Sequence, residues 1–337
     1  MKAIIYTGPN QVETREKESL ASSNTVRIRV SHVGICGTDL NIFAGTHPRA
    51  KAPLVMGHEL SGTVESGHPH LPKGTAVTVN PLLSCGQCTS CQSGFPHVCE
   101  TLKLIGIDSD GGMAEFVDVP VSNVIQLPST LSLQAGALAE PVAVSVHAVR
   151  QSHYKPGDQA VVFGAGTIGL CTALTLRAFG ATDPIVVETN KDRLRKAEEL
   201  GFQTIQPQTV NPTAAIKEIT GETGCDIVFD CAGHPAVLTE LTECIKARGT
   251  IVIVAAYKKP AELNLLQGMF KELTMQFVRV YTDKDFEIAL SLLAQETTYS
   301  SIITHILPPK KAMDGFSLLT RPTDAIKVLF DFGKGAR

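Results

Sequence analysis

Cys85, Cys88, Cys91 and Cys99 occupy one short run, Cys85-Gly86-Gln87-Cys88-Thr89-Ser90-Cys91 followed by Cys99. No other feature restricts the path of the chain so tightly. Four thiolates at this spacing can converge on one tetrahedral ion, and closed four-cysteine sites are what structural zinc prefers. Two negative charges remain after the ion's own, and backbone N–H groups directed at the sulfurs offset them. One Cys-x-x-Cys pair alone would read as a redox dithiol. Three cysteines at successive three-residue steps, with a fourth close by, do not. An iron–sulfur cluster is the rival, because its ligands also run Cys-x-x-Cys-x-x-Cys. The last spacing is longer than in the bacterial ferredoxin pattern and no proline follows Cys99, so zinc is favoured.

The remaining cysteines, among them Cys171, Cys225, Cys231 and Cys244, read as small buried hydrophobes. The start, Met1-Lys2-Ala3-Ile4-Ile5-Tyr6, lacks the features of a signal peptide. Nine cysteines without an export signal imply reduced thiols and metal ligands, hence a cytoplasmic protein. No apolar run reaches the length of a membrane span. A net charge of -3 and the lack of a dense basic cluster argue against nucleic acid or an anionic membrane as partner.

A chain of 337 residues exceeds what one core usually supports, so two domains are expected. Residues 1 to about 145 carry short β-branched runs broken by Gly, Pro and Asn. Val26-Arg27-Ile28-Arg29-Val30 alternates like a half-buried strand, and Thr75-Ala76-Val77-Thr78-Val79 is followed by the breaker Asn80-Pro81. This half reads as β-barrel-like. Residues 137–151 read as a helix, with Pro141 at a break or in the first turn. Strands and helices then alternate: strands at 159–163, 185–187, 225–230 and 250–254, helices at 191–200 and 236–246. That alternation predicts a parallel sheet with right-handed crossovers. A helix over 283–295 and strands near 302–307 and 325–330 close the chain.

Gly164-Ala165-Gly166-Thr167-Ile168-Gly169 follows the strand ending at Phe163 and opens an apolar helix. In that context the pattern is a dinucleotide-binding turn, with the helix N-terminus stabilising a pyrophosphate. Glu188, at the end of the next strand, is placed to accept hydrogen bonds from the adenosine ribose hydroxyls and to repel a 2′-phosphate. NAD is favoured over NADP on that ground. Lys191 and Arg193 lie just downstream and pull the other way.

Gly34-Ile35-Cys36-Gly37-Thr38-Asp39 and Gly57-His58-Glu59 offer sulfur, nitrogen and oxygen ligands of the mixed kind a catalytic zinc uses. Taken one at a time, Cys36 reads as core filler and His58 as a surface histidine. Together with residues 85–99, Asp110-Gly111-Gly112-Met113-Ala114-Glu115-Phe116, Glu140-Pro141 and the glycine turn, they resemble, in order and spacing, the zinc-dependent medium-chain alcohol dehydrogenases. The similarity covers nearly the whole chain and is to the polyol branch that includes sorbitol and 2,3-butanediol dehydrogenases.

The resemblance implies an α/β protein: a GroES-like β-barrel catalytic domain plus a Rossmann domain with a doubly wound parallel sheet. The catalytic domain would comprise residues 1–146 and 286–337, with a structural-zinc lobe at about 83–102. Residues 147–285 would form the NAD-binding domain. By matched position, Cys36 and His58 are catalytic zinc ligands. Glu59 and Glu140 both match acidic positions that complete the coordination, and the choice between them stays open. Thr38 matches a hydroxyl that bridges the substrate oxygen to a proton relay. Arg279 lies in a segment that runs near nicotinamide or substrate in this branch, and is read equally well as a strand-end charge. Two departures stand out. Asn41 replaces the histidine many relatives carry five residues after the zinc cysteine, and Asn cannot titrate; His47 is a nearby substitute. Residues 67–74 are shorter than the usual loop, and their His68 and His70 are expected in a solvated turn.

The expected activity is reversible NAD-linked oxidation of a secondary alcohol, a vicinal diol or polyol, to a ketone. Alternatives within the superfamily are a threonine or a sugar-alcohol-phosphate dehydrogenase. From other classes come a non-catalytic NAD-binding sensor, which Asn41 alone encourages, and an iron–sulfur electron carrier. The resemblance implies a homodimer or homotetramer.

Overall fold

The computed structural model describes residues 1–18, 25–66 and 68–333. Gly67, and the last four positions of the segment expected to end at 337, lie outside the described residues. The chain divides into two compact units, Met1–Glu140 with Thr282–Arg337, and Pro141–Tyr281.

In the first unit, β1 (Lys2–Gly8), β2 (Gln11–Glu16) and β4 (Leu54–Val55) form a three-stranded sheet in the order β2-β1-β4. The larger sheet has β3 (Thr25–Gly34) at its centre, paired with β5 (Glu59–Val64), β9 (Phe116–Pro120) and β18 (Lys327–Asp331). Beyond these lie β6 (Ala76–Val79), β10 (Val124–Gln126) and β17 (Ile303–Leu307). Strand β3 follows the expected alternation. Val26, Ile28 and Val30 are buried, while Arg27 faces outward onto Asp118 with paired contacts of 2.9 and 2.8 Å. The pairing of β18 beside β3 brings the end of the chain next to its beginning. A short ladder, β7 (Leu82–Leu83) with β8 (Lys103–Leu104), forms the root of the cysteine run.

The second unit holds β11 (Ala160–Phe163), β12 (Ile185–Val187), β13 (Gln203–Ile205), β14 (Cys225–Asp230), β15 (Ile245–Ile253) and β16 (Thr274–Phe277). All five ladders are parallel, and the order is β13-β12-β11-β14-β15-β16. This is the doubly wound Rossmann order, whose ligands bind outside the carboxyl ends of the strands where the order reverses. Here that point lies between β11 and β14. The core is aliphatic, with Val161, Ile185, Val228 and Ile251 fully or almost fully buried.

One expected element differs. The helix thought to run to 246 is Pro235–Cys244, and β15 starts at once with Ile245. Lys271 ends it, donating through Nζ to the carbonyls of Thr242, Glu243 and Ile245 at 2.8, 3.2 and 2.7 Å. A cation on the last carbonyls terminates a helix, and this one arrives from a distant segment.

Candidate active site

Cys36 is the residue before the helix Gly37–Phe43, and Asp39 in its first turn accepts the Cys36 N–H at 2.8 Å. That bond fixes the start of the helix and places the Asp39 carboxylate beside His58, whose Nδ1 lies 3.7 Å from Asp39 Oδ1. His58 and Asp39 are both buried, and neither of these two atoms makes a hydrogen bond. Burial opposes a charge on the His58 ring, yet Asp39, the Cys36 sulfur and Glu140 hold its pKa well above the usual value. Burial likewise raises the Asp39 carboxyl, against the pull of His58 and of the Cys36 N–H. Cys36, His58 and Glu140 thus share a neighbourhood whose electrostatics call for a cation, and their sulfur, nitrogen and oxygen donors suit zinc. Thr38 sits half-buried on the same helix.

Glu59 is placed differently. It begins β5, and both of its oxygens accept hydrogen bonds from Lys327 Nζ, at 2.9 and 2.6 Å. Lys327 also donates to the Ile35 carbonyl at 3.1 Å, and lysine and glutamate side chains are both 1% exposed. The carboxylate passes so close to β3 that a Cβ on Gly34 would lie 2.1 Å from Glu59 Oε2, so only glycine fits there. The sequence reading did not single out Lys327. Its signal was a lone charge inside the apolar strand Ala325-Ile326-Lys327-Val328-Leu329-Phe330.

Asn41 accepts the N–H groups of Thr46 and His47 at its carbonyl, at 2.9 and 3.2 Å. His47 in turn accepts the N–H groups of Arg49 and Ala50 at Nδ1, at 3.3 and 3.1 Å. Burial and Arg49 lower its pKa. His68 and His70 stand in a tight turn closed by an antiparallel bridge from His68 to Leu71.

The ligand atoms of Cys85, Cys88, Cys91 and Cys99 all lie within 4.8 Å of one another, and among the described residues this is the one such group of three or more. Backbone N–H groups face the sulfurs as charge balance requires. The Cys88 N–H donates to Cys85 Sγ and the Cys85 N–H to Cys99 Sγ, each at 3.3 Å. The N–H groups of Gln87 and Cys88 lower the Cys85 thiol to about 6. Burial, then Cys88, push Cys91 up to about 12. Without a cation the thiols resist ionising together; an ion removes that conflict, so the donor set fits a metal.

In the second unit a cavity of 870 Å³ opens at the carboxyl ends of β11, β12 and β14, lined among others by Gly164, Gly166, Glu188, Arg193, Cys231 and His234. A Cβ on Gly169 would lie 1.7 Å from the Gly164 carbonyl oxygen, so helix and turn touch through glycine alone. A Cβ on Gly166 would meet nothing nearer than the Arg193 guanidinium at 3.9 Å, which leaves the open cradle a phosphate needs. Thr167 and Ile168 are half-buried in the first turn of the helix Thr167–Ala178. Glu188 is buried and turns inward, accepting the N–H of Ala165 at 2.6 Å and those of Thr189 and Asn190 at 2.7 Å each. Cys231 is half-buried rather than part of the core, and it lines this cavity beside Thr172. Arg279 is exposed beyond β16 and does not line it.

Fold and site together define a two-unit dehydrogenase. Residues 22–129 match the alcohol dehydrogenase GroES-like domain and residues 167–295 match the zinc-binding dehydrogenase domain. The chain therefore belongs to the zinc-binding alcohol dehydrogenase family. It is 36% identical over 299 residues to 2-dehydro-3-deoxy-L-galactonate 5-dehydrogenase of Pseudoalteromonas atlantica, covering 87% of each chain. The crystal structure of 2R,3R-butanediol dehydrogenase from Bacillus subtilis superposes with a TM-score of 0.90 at 32% identity, over 98% of this chain and 99% of that one. The alcohol dehydrogenase rspB from E. coli CFT073, complexed with NADH, gives a TM-score of 0.89 at 28% identity over 98% and 99%. The protein is an enzyme, a zinc-binding dehydrogenase of this family. Among the described residues no helix is long and apolar enough to cross a membrane.

Proposed function

We propose that the protein oxidises a vicinal diol or polyol to the hydroxyketone, with Cys36, His58 and Glu140 holding the catalytic zinc. The observation that carries this reading is the buried His58 ring set among Cys36, Asp39 and Glu140. In the bound state zinc supplies Lewis acidity, lowering the pKa of the substrate hydroxyl. Asp39 orients the His58 ring from behind, as carboxylates do for metal-bound imidazoles. Thr38 Oγ1 accepts a hydrogen bond from the substrate hydroxyl and relays its proton by giving up its own Oγ1 proton to water. Lys327 holds Glu59 in reserve, close to the site but neutralised.

Cys85, Cys88, Cys91 and Cys99 hold a second, structural zinc. Gly164, Gly166, Thr167, Ile168 and Gly169 receive the NAD pyrophosphate at the helix N-terminus. Glu188 accepts the adenosine ribose, with Arg193 beside it; the exposed Arg279 lies outside this cavity and is left as a strand-end charge. Met1–Glu140 with Thr282–Arg337 is the catalytic domain, and Pro141–Tyr281 the NAD-binding domain. A homo-oligomer is supported by the exposed Leu265, Leu266, Met269, Phe270 and Phe277, which lie on and beside the edge strand β16. Unpaired edges with apolar flanks invite a partner. Nine free thiols support a reducing, cytoplasmic location.

A panel of diols, pentitols, hexitols, aldonates and threonine, read by NADH absorbance, tests the substrate class. Turnover of diols or polyols with loss in Cys36→Ser is expected. Full activity and two bound zinc ions in that variant would overturn the site.

A further inference from the structure

The loop of residues 231–234 forms one wall of the 870 Å³ cavity, through Cys231, Ala232 and His234. It has no regular structure of its own, and it packs directly on the glycine turn. A Cβ on Gly164 would lie 3.1 Å from the Ala232 nitrogen. One residue outside the cavity lining holds this loop. Asp230, the last residue of β14, is fully buried, and its Oδ1 accepts the N–H groups of Ala232 and Gly233 at 3.0 Å each. Its other oxygen accepts the Tyr257 hydroxyl at 2.7 Å. Its own carbonyl accepts the N–H groups of Val254 and Ala255 at 3.0 and 2.9 Å.

Tyr257 therefore ties the loop after β15 to the loop after β14, and its hydroxyl also comes within 3.4 Å of the His234 carbonyl. Behind Tyr257 lies a separate cavity of 460 Å³ lined by apolar side chains such as Leu238, Leu263, Met275 and Phe277. The Tyr257 ring itself is partly buried and packs against the aliphatic core of this unit, so its hydroxyl is held at Asp230 from the ring side. Burial, then Asp230, raise the Tyr257 pKa, so the phenol remains a donor.

We propose that Tyr257 and Asp230 are positioning residues for NAD, setting the 231–234 wall through the hydroxyl–carboxylate bond without touching the cofactor. This rests on the reading of the cavity as the dinucleotide site. A hydrogen bond to a charged acceptor is the strong kind, and the wall it braces meets the ligand only in this cavity. The effect should therefore fall on cofactor affinity and spare the metal site.

The test is Tyr257→Phe in the zinc-loaded enzyme, with NADH binding followed by nucleotide fluorescence. NADH affinity is expected to weaken about tenfold, the size of one such bond, and the KM for NAD to rise by the same factor. The kcat at saturating NAD, the KM for the alcohol and the zinc content should stay at wild-type values, while the melting temperature without nucleotide falls modestly because Asp230 Oδ2 loses its donor. Asp230→Asn keeps an acceptor for Ala232 and Gly233 and a neutral partner for the phenol. In that background Tyr257→Phe should cost about twofold rather than tenfold, a coupling that neighbouring groups show and independent ones do not. Unchanged NADH affinity in Tyr257→Phe overturns the inference. So does a loss matched by an equal rise in the alcohol KM or by loss of zinc, or additive effects in the double variant. No NADH binding by the unmodified protein would overturn the cofactor reading along with it; binding by both proteins alike sinks only the role of Tyr257.

Discussion

The cysteine lobe and the cluster around His58 are built from similar donors in opposite ways. The lobe draws its four sulfurs from one short segment, and the backbone N–H groups that face them belong to the same turns. The His58 cluster takes Cys36 from a helix start, His58 from the approach to β5 and Glu140 from another helix. Its neighbour Glu59 is neutralised by Lys327 from 268 positions away. A site closed by local sequence serves as a staple. A site assembled from distant elements can change its coordination, which is what the proposed catalytic ion would require.

Breaking the open cluster should have the largest effect. Cys36→Ser is expected to lower kcat by about 10³-fold, the several kcal/mol a Lewis acid supplies. Metal analysis should show one zinc per chain in place of two. Lys327→Met comes next. It leaves Glu59 buried and uncompensated, at a cost of about 3–5 kcal/mol of stability measured by denaturant unfolding. The double change Lys327→Met with Glu59→Leu should recover most of that loss, and failure to recover would mean the pair serves more than charge neutrality. Cys91→Ser tests the staple. A fall in melting temperature of roughly 5–10 °C is expected, with kcat per remaining folded molecule nearly unchanged. A parallel fall in kcat at low temperature would erase the contrast between the two sites. Asp39→Asn should reduce zinc affinity or turnover by about 10–100-fold, as changes to the groups that orient metal-bound histidines do. Smallest is Thr101→Val, which removes the hydroxyl 3.7 Å from Cys99 Sγ. Less than about 1 kcal/mol is expected, the scale of one weak hydrogen bond, read as a small shift in melting temperature.

Much of the fold could be read from pattern alone. The strand Ile185–Val187 and the helix Asp283–Gln295 lie where the sequence pattern put them. Thr282 and Asp285 close the start of that helix with a capping box. The stretch Ile245–Ile253 did not yield to the same reasoning, because Lys271 decides where the preceding helix stops. The site shows the same division. Cys36, His58 and the glycine turn stand out by type and spacing, whereas Lys327 and Asp230 look like a stray charge and a strand-end carboxylate until the chain is folded.

What the sequence determined by itself was everything that depends on near neighbours: the cysteine spacing, the strand–turn–helix of the dinucleotide site, and the alternation that makes a parallel sheet. Each follows from geometry a few residues long. Only the tertiary structure decided that Glu59 faces Lys327 while Glu140 stands near His58, and that Tyr257 reaches Asp230. Those outcomes depend on which charges meet after burial, where an unpaired charge costs several kcal/mol, at least about 3, and no local pattern records which partner will arrive.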